Sequence, residues 1–264
     1  MNIKFFKFIK FFFGITLLLI YSCQNNNYNT IINLPDGFVS TVYVDSIAES
    51  VRHMAVKKNG DLYVKFRRQS DDGILAAVRD NNHDGYADSI VKFGQYHNPQ
   101  RGSYSTGSRI HKGYLYYSSQ LTVYRVKLDD KNLVPSSKPE IVVIDDHEHG
   151  SHEHIAKPIA FDNEGFLYVP FGSPNNACQD PKRTPLIPGR DPCPDLLRHG
   201  GIWKFKADKL NQTQKDGQLF ATGLRSIVAM DWSKSNKKLY AVVHGRDDLA
   251  RLCLLYTSDA ADDT

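Results

Sequence analysis

Apolar and polar residues alternate along most of the chain, in short runs that end at glycine or asparagine. Alternation with a period of two predicts β-strands. One unit occurs four times: a strand, a turn and a second strand with a Leu-Tyr pair, at Met54–Val64, Ile110–Tyr117, Ile159–Val169 and Val228–Ala241. Another alternating strand follows each of the first three units, at Ile74–Val78, Thr122–Val126 and Ile202–Phe205.

The recurrence predicts an all-β fold of the β-propeller type. Repetition of one strand pattern at such long intervals is typical of similar four-stranded sheets arranged around an axis. The pattern accounts for about four sheets, the last incomplete. A β-sandwich is the alternative, but it would not require the Leu-Tyr unit to recur.

The first residues have the features of an export signal. Lys4, Lys7 and Lys10 precede the apolar run Phe11–Ile20, which is short for a membrane span. The residues that follow resemble a lipobox, which predicts a signal peptide over residues 1–22, lipidation of Cys23 and a polar tether over residues 23–33. The protein is then exported and anchored to a bacterial membrane by lipid alone, facing the periplasm or the cell surface. A plain secretory signal is the alternative.

Residues 253–264 differ in pattern from everything before them. They resemble the translation of a transposon-end sequencing adapter, so we expect them to be non-biological and the propeller to be truncated. Residues 34–252 are therefore predicted to form a partial propeller domain. A genuine acidic tail is the alternative.

Charge and cysteine usage narrow the class of protein. The net charge of +4 is scattered, and no basic stretch is interleaved with aromatic residues, so nucleic-acid binding has little support. In an exported protein, Cys178 and Cys193 are expected to form a disulfide. Two thiols are the alternative.

Propellers bind ligands at the mouth of the central channel, on loops that enter the innermost strand of each sheet. Residues just before each repeated unit are therefore candidates for function. They are Arg52 with His53, the histidine cluster that ends at His154, and Arg225 with Ser226.

Several segments, in order, resemble the soluble glucose/sorbosone dehydrogenases, six-bladed propellers that use pyrroloquinoline quinone (PQQ) and calcium. The segment from His154 to Gly172 resembles the family's general-base segment. Ala221–Ser226 is similar to its Gly-x-Arg-Asn element, with serine in place of asparagine. Val243–Leu249 resembles its Glu-His-Gly-Pro segment, with arginine in place of proline. The surroundings of the two cysteines resemble the sorbosone-dehydrogenase-like branch.

The resemblance implies a PQQ-dependent dehydrogenase that oxidises a sugar or a sugar-derived aldehyde and passes the electrons to an acceptor that the sequence does not identify. His154 is then the general base, because a neutral imidazole accepts a proton near physiological pH. Cofactor contacts are predicted for Arg225, Ser226, Lys157 and Arg52, because PQQ carries three carboxylates. Calcium is predicted on the backbone of Gly245 and Arg246.

Two polar loops have competing interpretations. Asp80, Asn82, Asp84 and Asp88 have the alternating oxygen side chains of a calcium loop, but a turn held by its own side chains explains the same composition. The histidines at 147, 149 and 152 are predicted to form a solvated loop, since their spacing fits no compact metal site. The acidic residues of that loop are Asp145, Asp146, Glu148 and Glu153.

Two other functions stay open for such a chain. A propeller of the same ancestry could bind a glycan or a protein without catalysis, since fold alone does not determine function. A lactonase-type propeller would need carboxylate ligands at the channel mouth, and the sequence places none at those positions.

Overall fold

The computed structural model describes residues 32–47, 50–95, 107–147 and 154–249. The chain divides into two compact units, residues 1–43 and residues 44–264. In the first, a turn is closed by the amide of Phe38, which donates to the carbonyl of Pro35 at 3.2 Å. The predicted signal peptide, Cys23 and residues 253–264 lie outside the described residues. No helix in the described part of the chain is long and apolar enough to span a membrane.

The second unit consists of four successive sheets. The first contains β1 (Val51–Val56), β2 (Leu62–Ser70), β3 (Gly73–Arg79) and β4 (Ser89–Phe93), side by side in that order. The second contains β5 (Ser108–His111), β6 (Tyr114–Ser118), β7 (Thr122–Lys127) and β8 (Glu140–Ile144). The third contains β9 (Ala160–Phe161), β10 (Phe166–Phe171), β11 (Gly201–Lys206) and β13 (Gln218–Thr222), and the last pairs β14 (Ser226–Ser233) with β15 (Lys238–His244).

The remaining regular elements lie between the third sheet's strands. β12 (Gln212–Thr213) runs parallel to β8 and adds a fifth strand to the second sheet. Short 3₁₀ helices span Pro194–Leu197 and Gln214–Asp216. The four predicted units thus form β1–β2, β5–β6, β9–β10 and β14–β15, and the three strands predicted after them are β3, β7 and β11.

The tight turn between β5 and β6 explains one of the repeated glycines. Lys112 and Gly113 both have positive φ, at 46° and 77°. A two-residue hairpin loop of this kind matches the right-handed twist of its strands, and glycine adopts that conformation most easily.

The Leu-Tyr pair recurs because each inner sheet is packed on both faces. Neighbouring residues of a strand point to opposite faces. In β6, Leu115 packs in the core shared with the first sheet, whereas Tyr116 packs in the core shared with the third. In β10, Leu167 packs toward the second sheet and Tyr168 toward the last. The pair therefore contributes one large side chain to each of two successive interfaces.

The sheets are arranged as in part of a β-propeller, which confirms the predicted fold class. Their first strands meet near the centre, where β1 contacts β5 and β9 contacts β14. Apolar side chains are exposed on the two terminal sheets: Met54 and Val56 are each 63% exposed, and Tyr240 and Val242 are 55% and 60% exposed.

Candidate functional site

A cavity of about 340 Å³ lies where the first, third and last sheets converge. Its walls come from the beginnings of β1 and β14, the segment before β9, and the ends of β2 and β15. The lining residues are Arg52, Arg67, His154, Ile155, Ala156, Arg225, Ser226, Val228, His244 and Asp247. Three arginines and two histidines thus face a cavity with one carboxylate.

His154 is held in one tautomer at the wall of this cavity. Its side chain is buried, and Nδ1 lies 2.6 Å from the carbonyl oxygen of Ser173. Because a carbonyl oxygen only accepts hydrogen bonds, Nδ1 carries a proton in this contact. In the neutral form of the ring the lone pair is then on Nε2, which is the atom that accepts a proton.

Gly172 permits the close approach of the His154 segment to the end of β10. A Cβ atom at this position would overlap the carbonyl oxygen of His154. The glycine that ends the resemblance to a general-base segment therefore has a packing reason.

Arg225 links the beginning of β14 to the segment after β15. Its Nη1 donates to the carbonyl oxygen of Gly245 at 2.6 Å, and its Nη2 forms an ion pair with Asp247. Burial raises the pKa of Asp247, but Arg183 and Arg225 outweigh that effect, so the pKa lies below its ordinary value. Nε of Arg225 is buried and has no hydrogen-bond partner among the residues that the structure describes.

The first sheet makes this region strongly positive. Burial, with the nearby charges of Arg52, Arg109 and Lys65, lowers the pKa of His53 to about 4. Arg52 lies at an irregularity in the β1–β2 pairing, between the paired residues Val51 and His53. Such a bulge re-aims a side chain out of the regular alternation.

Four predicted site residues, Arg52, His154, Arg225 and Ser226, line this one cavity. Lys157 does not, and its predicted contact with a cofactor is corrected here. Its ammonium group is buried, lies 3.3 Å from Asp145 and 3.1 Å from the carbonyl oxygen of Pro170. Burial lowers the pKa of Lys157, and Asp145 opposes that effect.

The segment after β15 contributes to the cavity, and calcium binding there stays a prediction. Gly245 and Arg246 were predicted as backbone ligands of calcium, yet the cavity is lined by their neighbours His244 and Asp247. Arg67 was also missed. It lies two positions after Lys65 on β2. The basic residues close together on this strand were the sequence signal that could have indicated it.

The loop of Asp80, Asn82, Asp84 and Asp88 forms a turn held by its own side chains. Asp80 accepts from the amides of His83 and Gly85 at 2.7 and 2.9 Å, and Asp88 accepts from that of Asn81 at 2.6 Å. The described residues contain one group of three closely spaced metal-ligand types, Cys178, Cys193 and Asp195. The contacts of Asp80 and Asp88 hold the turn, and calcium binding in this loop stays a prediction.

His147 is not part of a solvated loop, which corrects that prediction. It is 7% exposed, and its Nε2 lies 2.7 Å from Oε1 of Gln214. Asp145, 3.0 Å from its Nδ1, is buried as well. Together with Lys157 these groups form a buried polar cluster under the segment that carries His154. His149 and His152 lie outside the described residues.

Cys178 and Cys193 are joined by a disulfide with a Cα–Cα distance of 6.0 Å. The bridge uses both sulfur atoms, so the group of these cysteines with Asp195 is not a thiolate metal site.

The fold and the cavity define a class of protein, a β-propeller with a cationic pocket where its inner strands begin. The chain belongs to the TrAA12-like family, whose model matches residues 32–262. No curated protein sequence matches it.

Solved structures support the fold. The holo form of the pyranose dehydrogenase PQQ domain from Coprinopsis cinerea is 15% identical and has a TM-score of 0.56; the match covers 75% of this chain and 44% of that one. The iodide and calcium structures of the Trichoderma reesei family AA12 enzyme are 17% and 16% identical, also with TM-scores of 0.56. Their matches cover 75% of this chain and 46% and 47% of theirs. The chain thus spans less than half the length of these structures.

Proposed function

We propose that this chain is part of an exported, PQQ-dependent dehydrogenase that oxidises a sugar or a sugar-derived aldehyde. The observation that carries the proposal is the cavity in which Arg52, Arg67 and Arg225 surround a histidine of fixed tautomer. Membership of the TrAA12-like family and a fold shared with a PQQ domain support it.

The arginines match the charge of the cofactor. PQQ carries three carboxylates, and guanidinium groups bind carboxylates through paired, charge-assisted hydrogen bonds. When bound, PQQ supplies the quinone carbonyl that accepts a hydride.

His154 acts on the substrate in this proposal. Its Nε2 takes the hydroxyl proton while the hydride leaves the adjacent carbon, and Ser173 keeps the ring oriented through Nδ1. The buried cluster of Asp145, His147 and Lys157 supports the segment that carries His154.

Calcium belongs to the proposal as a Lewis acid beside the quinone. The relevant oxygen is the carbonyl of Gly245, which accepts a hydrogen bond from Arg225 in this structure. A carbonyl oxygen has two lone pairs, so this atom can ligate calcium while it accepts the hydrogen bond from Arg225.

Export, lipidation at Cys23 and the finer assignment to the sorbosone-dehydrogenase-like branch also belong to the proposal. So do further sheets in the whole protein, which would cover the apolar faces that Met54 and Tyr240 expose.

The test uses the full-length protein supplied with PQQ and calcium, an aldose or an aldehyde, and an artificial acceptor dye. His154→Gln should bind PQQ with nearly unchanged affinity and lose on the order of 10²–10⁴ in turnover, the contribution of a general base. His83→Gln, an exposed histidine outside the cavity, is the matched control. Normal turnover by His154→Gln would place the base elsewhere. A wild-type protein that binds no PQQ at any calcium concentration would favour a propeller that binds ligands without catalysis.

A further inference from the structure

The segment of residues 173–193, hereafter the cysteine segment, holds its own shape beside the cavity. The disulfide closes it, and the amide of Arg190 donates to the carbonyl of Cys178 at 3.0 Å. Gln179 is buried within it and donates to the carbonyl of Thr184 at 3.0 Å. A loop stabilised in this way can act as a rigid support.

The beginning of this segment contacts two residues of the cavity wall. Ser173 accepts from Nδ1 of His154 through its carbonyl oxygen, and its amide donates to the carbonyl of Arg225 at 2.8 Å. One residue thereby fixes the imidazole and the backbone of the arginine together.

Two further residues of the segment hold Asp247. The side chain of Asn176 bonds both backbone groups of Asp247: Nδ2 donates to the carbonyl at 2.9 Å, and Oδ1 accepts from the amide at 3.0 Å. Arg183 lies 3.2 Å from the Asp247 carboxylate and 2.8 Å from that of Asp248. The Asp247 carboxylate is therefore shared between Arg183, outside the cavity, and Arg225, on its wall.

We propose that Asn176 and Arg183 are positioning residues that set how Arg225 meets an anionic ligand in the cavity. Asn176 fixes the place of Asp247. Arg183 also pairs with the Asp247 carboxylate, so that carboxylate neutralises less of the charge of Arg225. Arg225 therefore attracts an anionic ligand more strongly. Neither residue lines the cavity. The identity of the ligand rests on the proposed function, whereas the contacts of Asn176 and Arg183 do not depend on it.

The first experiment needs no ligand. Hydrogen–deuterium exchange of the full-length protein reports how firmly residues 244–248 are held. In Asn176→Ala we expect these amides to exchange on the order of tenfold faster, because hydrogen bonds of modest net strength are lost. Lys182→Ala is the matched control, since Lys182 lies on the same segment and contacts Pro174 rather than Asp247. Unchanged exchange in Asn176→Ala would overturn the positioning role.

The second experiment titrates PQQ, in the presence of calcium, into the wild type and the variants. Arg183→Ala should weaken binding by about threefold to fivefold, the upper part of the range expected for an exposed ion pair, and Arg183→Lys should restore most of the loss. Lys182→Ala removes the same charge one position away and should bind as the wild type does. Equal affinities for Arg183→Ala and the wild type would overturn the proposed effect of Arg183 on Arg225. If the wild type itself binds no PQQ, the proposed function fails, while the exchange result still decides the positioning role of Asn176.

Discussion

Replacing Lys65 by methionine tests how a buried lysine near His53 affects stability and the binding of anions in the cavity. Lys65 is fully buried on β2, two residues before Arg67, and its ammonium group donates to the carbonyl of Phe66 at 2.9 Å. Burial lowers its pKa from 10.5 to about 7. The buried ammonium form is costly for stability, and near pH 7 the group is partly neutral.

The pH dependence follows from that pKa. Between about 7 and 10.5 the unfolded chain binds the proton and the folded protein does not, so the stability of the wild type rises with pH across this window. Below about pH 7, both states bind the proton, and the folded protein bears the full cost of burying the ammonium group. The difference between the two pKa values puts that cost on the order of 4–5 kcal/mol. Contacts of the ammonium group offset part of this, so Lys65→Met should stabilise by about 1–4 kcal/mol at neutral pH.

The assay is urea denaturation of the full-length protein from pH 6 to pH 10, with PQQ titrations of the same samples. The gain in the free energy of unfolding of Lys65→Met should be largest at the acidic end and should shrink as pH rises. Lys65→Met should also bind PQQ more weakly than the wild type does. Lys92→Met is the matched control, because Lys92 lies on β4 of the same sheet, pairs with Asp72 and is partly exposed. A gain independent of pH, or a loss of stability at pH 7, would refute the reasoning about Lys65.

Three shorter predictions concern other parts of the chain. Gly172→Ala should lower stability by about 1–3 kcal/mol in thermal denaturation and reduce turnover, because the new methyl group displaces His154; an unchanged melting temperature would contradict the packing argument. Replacing Cys178 and Cys193 together by serine should cost about 3 kcal/mol, and alkylation of both cysteines in the unreduced wild type would show the bridge to be absent. Labelled fatty acid should enter the wild type in a bacterial host but not Cys23→Ser, so equal labelling would exclude lipidation there.

The sheets could be predicted from sequence because their packing is periodic. Leu115 with Tyr116, and Leu167 with Tyr168, must each fill a core on either side of a strand, and this requirement is shared by the two inner sheets. Because the same packing is needed at successive sheets, the Leu-Tyr unit recurs and can be recognised in a single sequence.

The cavity could be predicted only in part. Arg52, His154 and Arg225 were accessible because each precedes or begins a repeated unit. Arg67, within β2, and Asp247, in the segment after β15, were not predicted as site residues, because only the folded chain brings them near the others.

Misplaced residues show the same limit. Whether Lys157 faces a ligand depends on Asp145, which lies twelve residues earlier and meets it only in the folded core. His147 was likewise predicted to be solvated because its sequence neighbours are polar. In the folded protein it is buried and contacts Gln214, which is distant in the sequence.

A crystal structure of the full-length protein with PQQ and calcium tests the central claim most directly. We expect PQQ in the cavity, with its carboxylates within hydrogen-bond distance of at least two of Arg52, Arg67 and Arg225. We also expect Nε2 of His154 to face the space beside the quinone. PQQ bound elsewhere, or a cavity that stays without PQQ at saturating concentration, would contradict the proposed function.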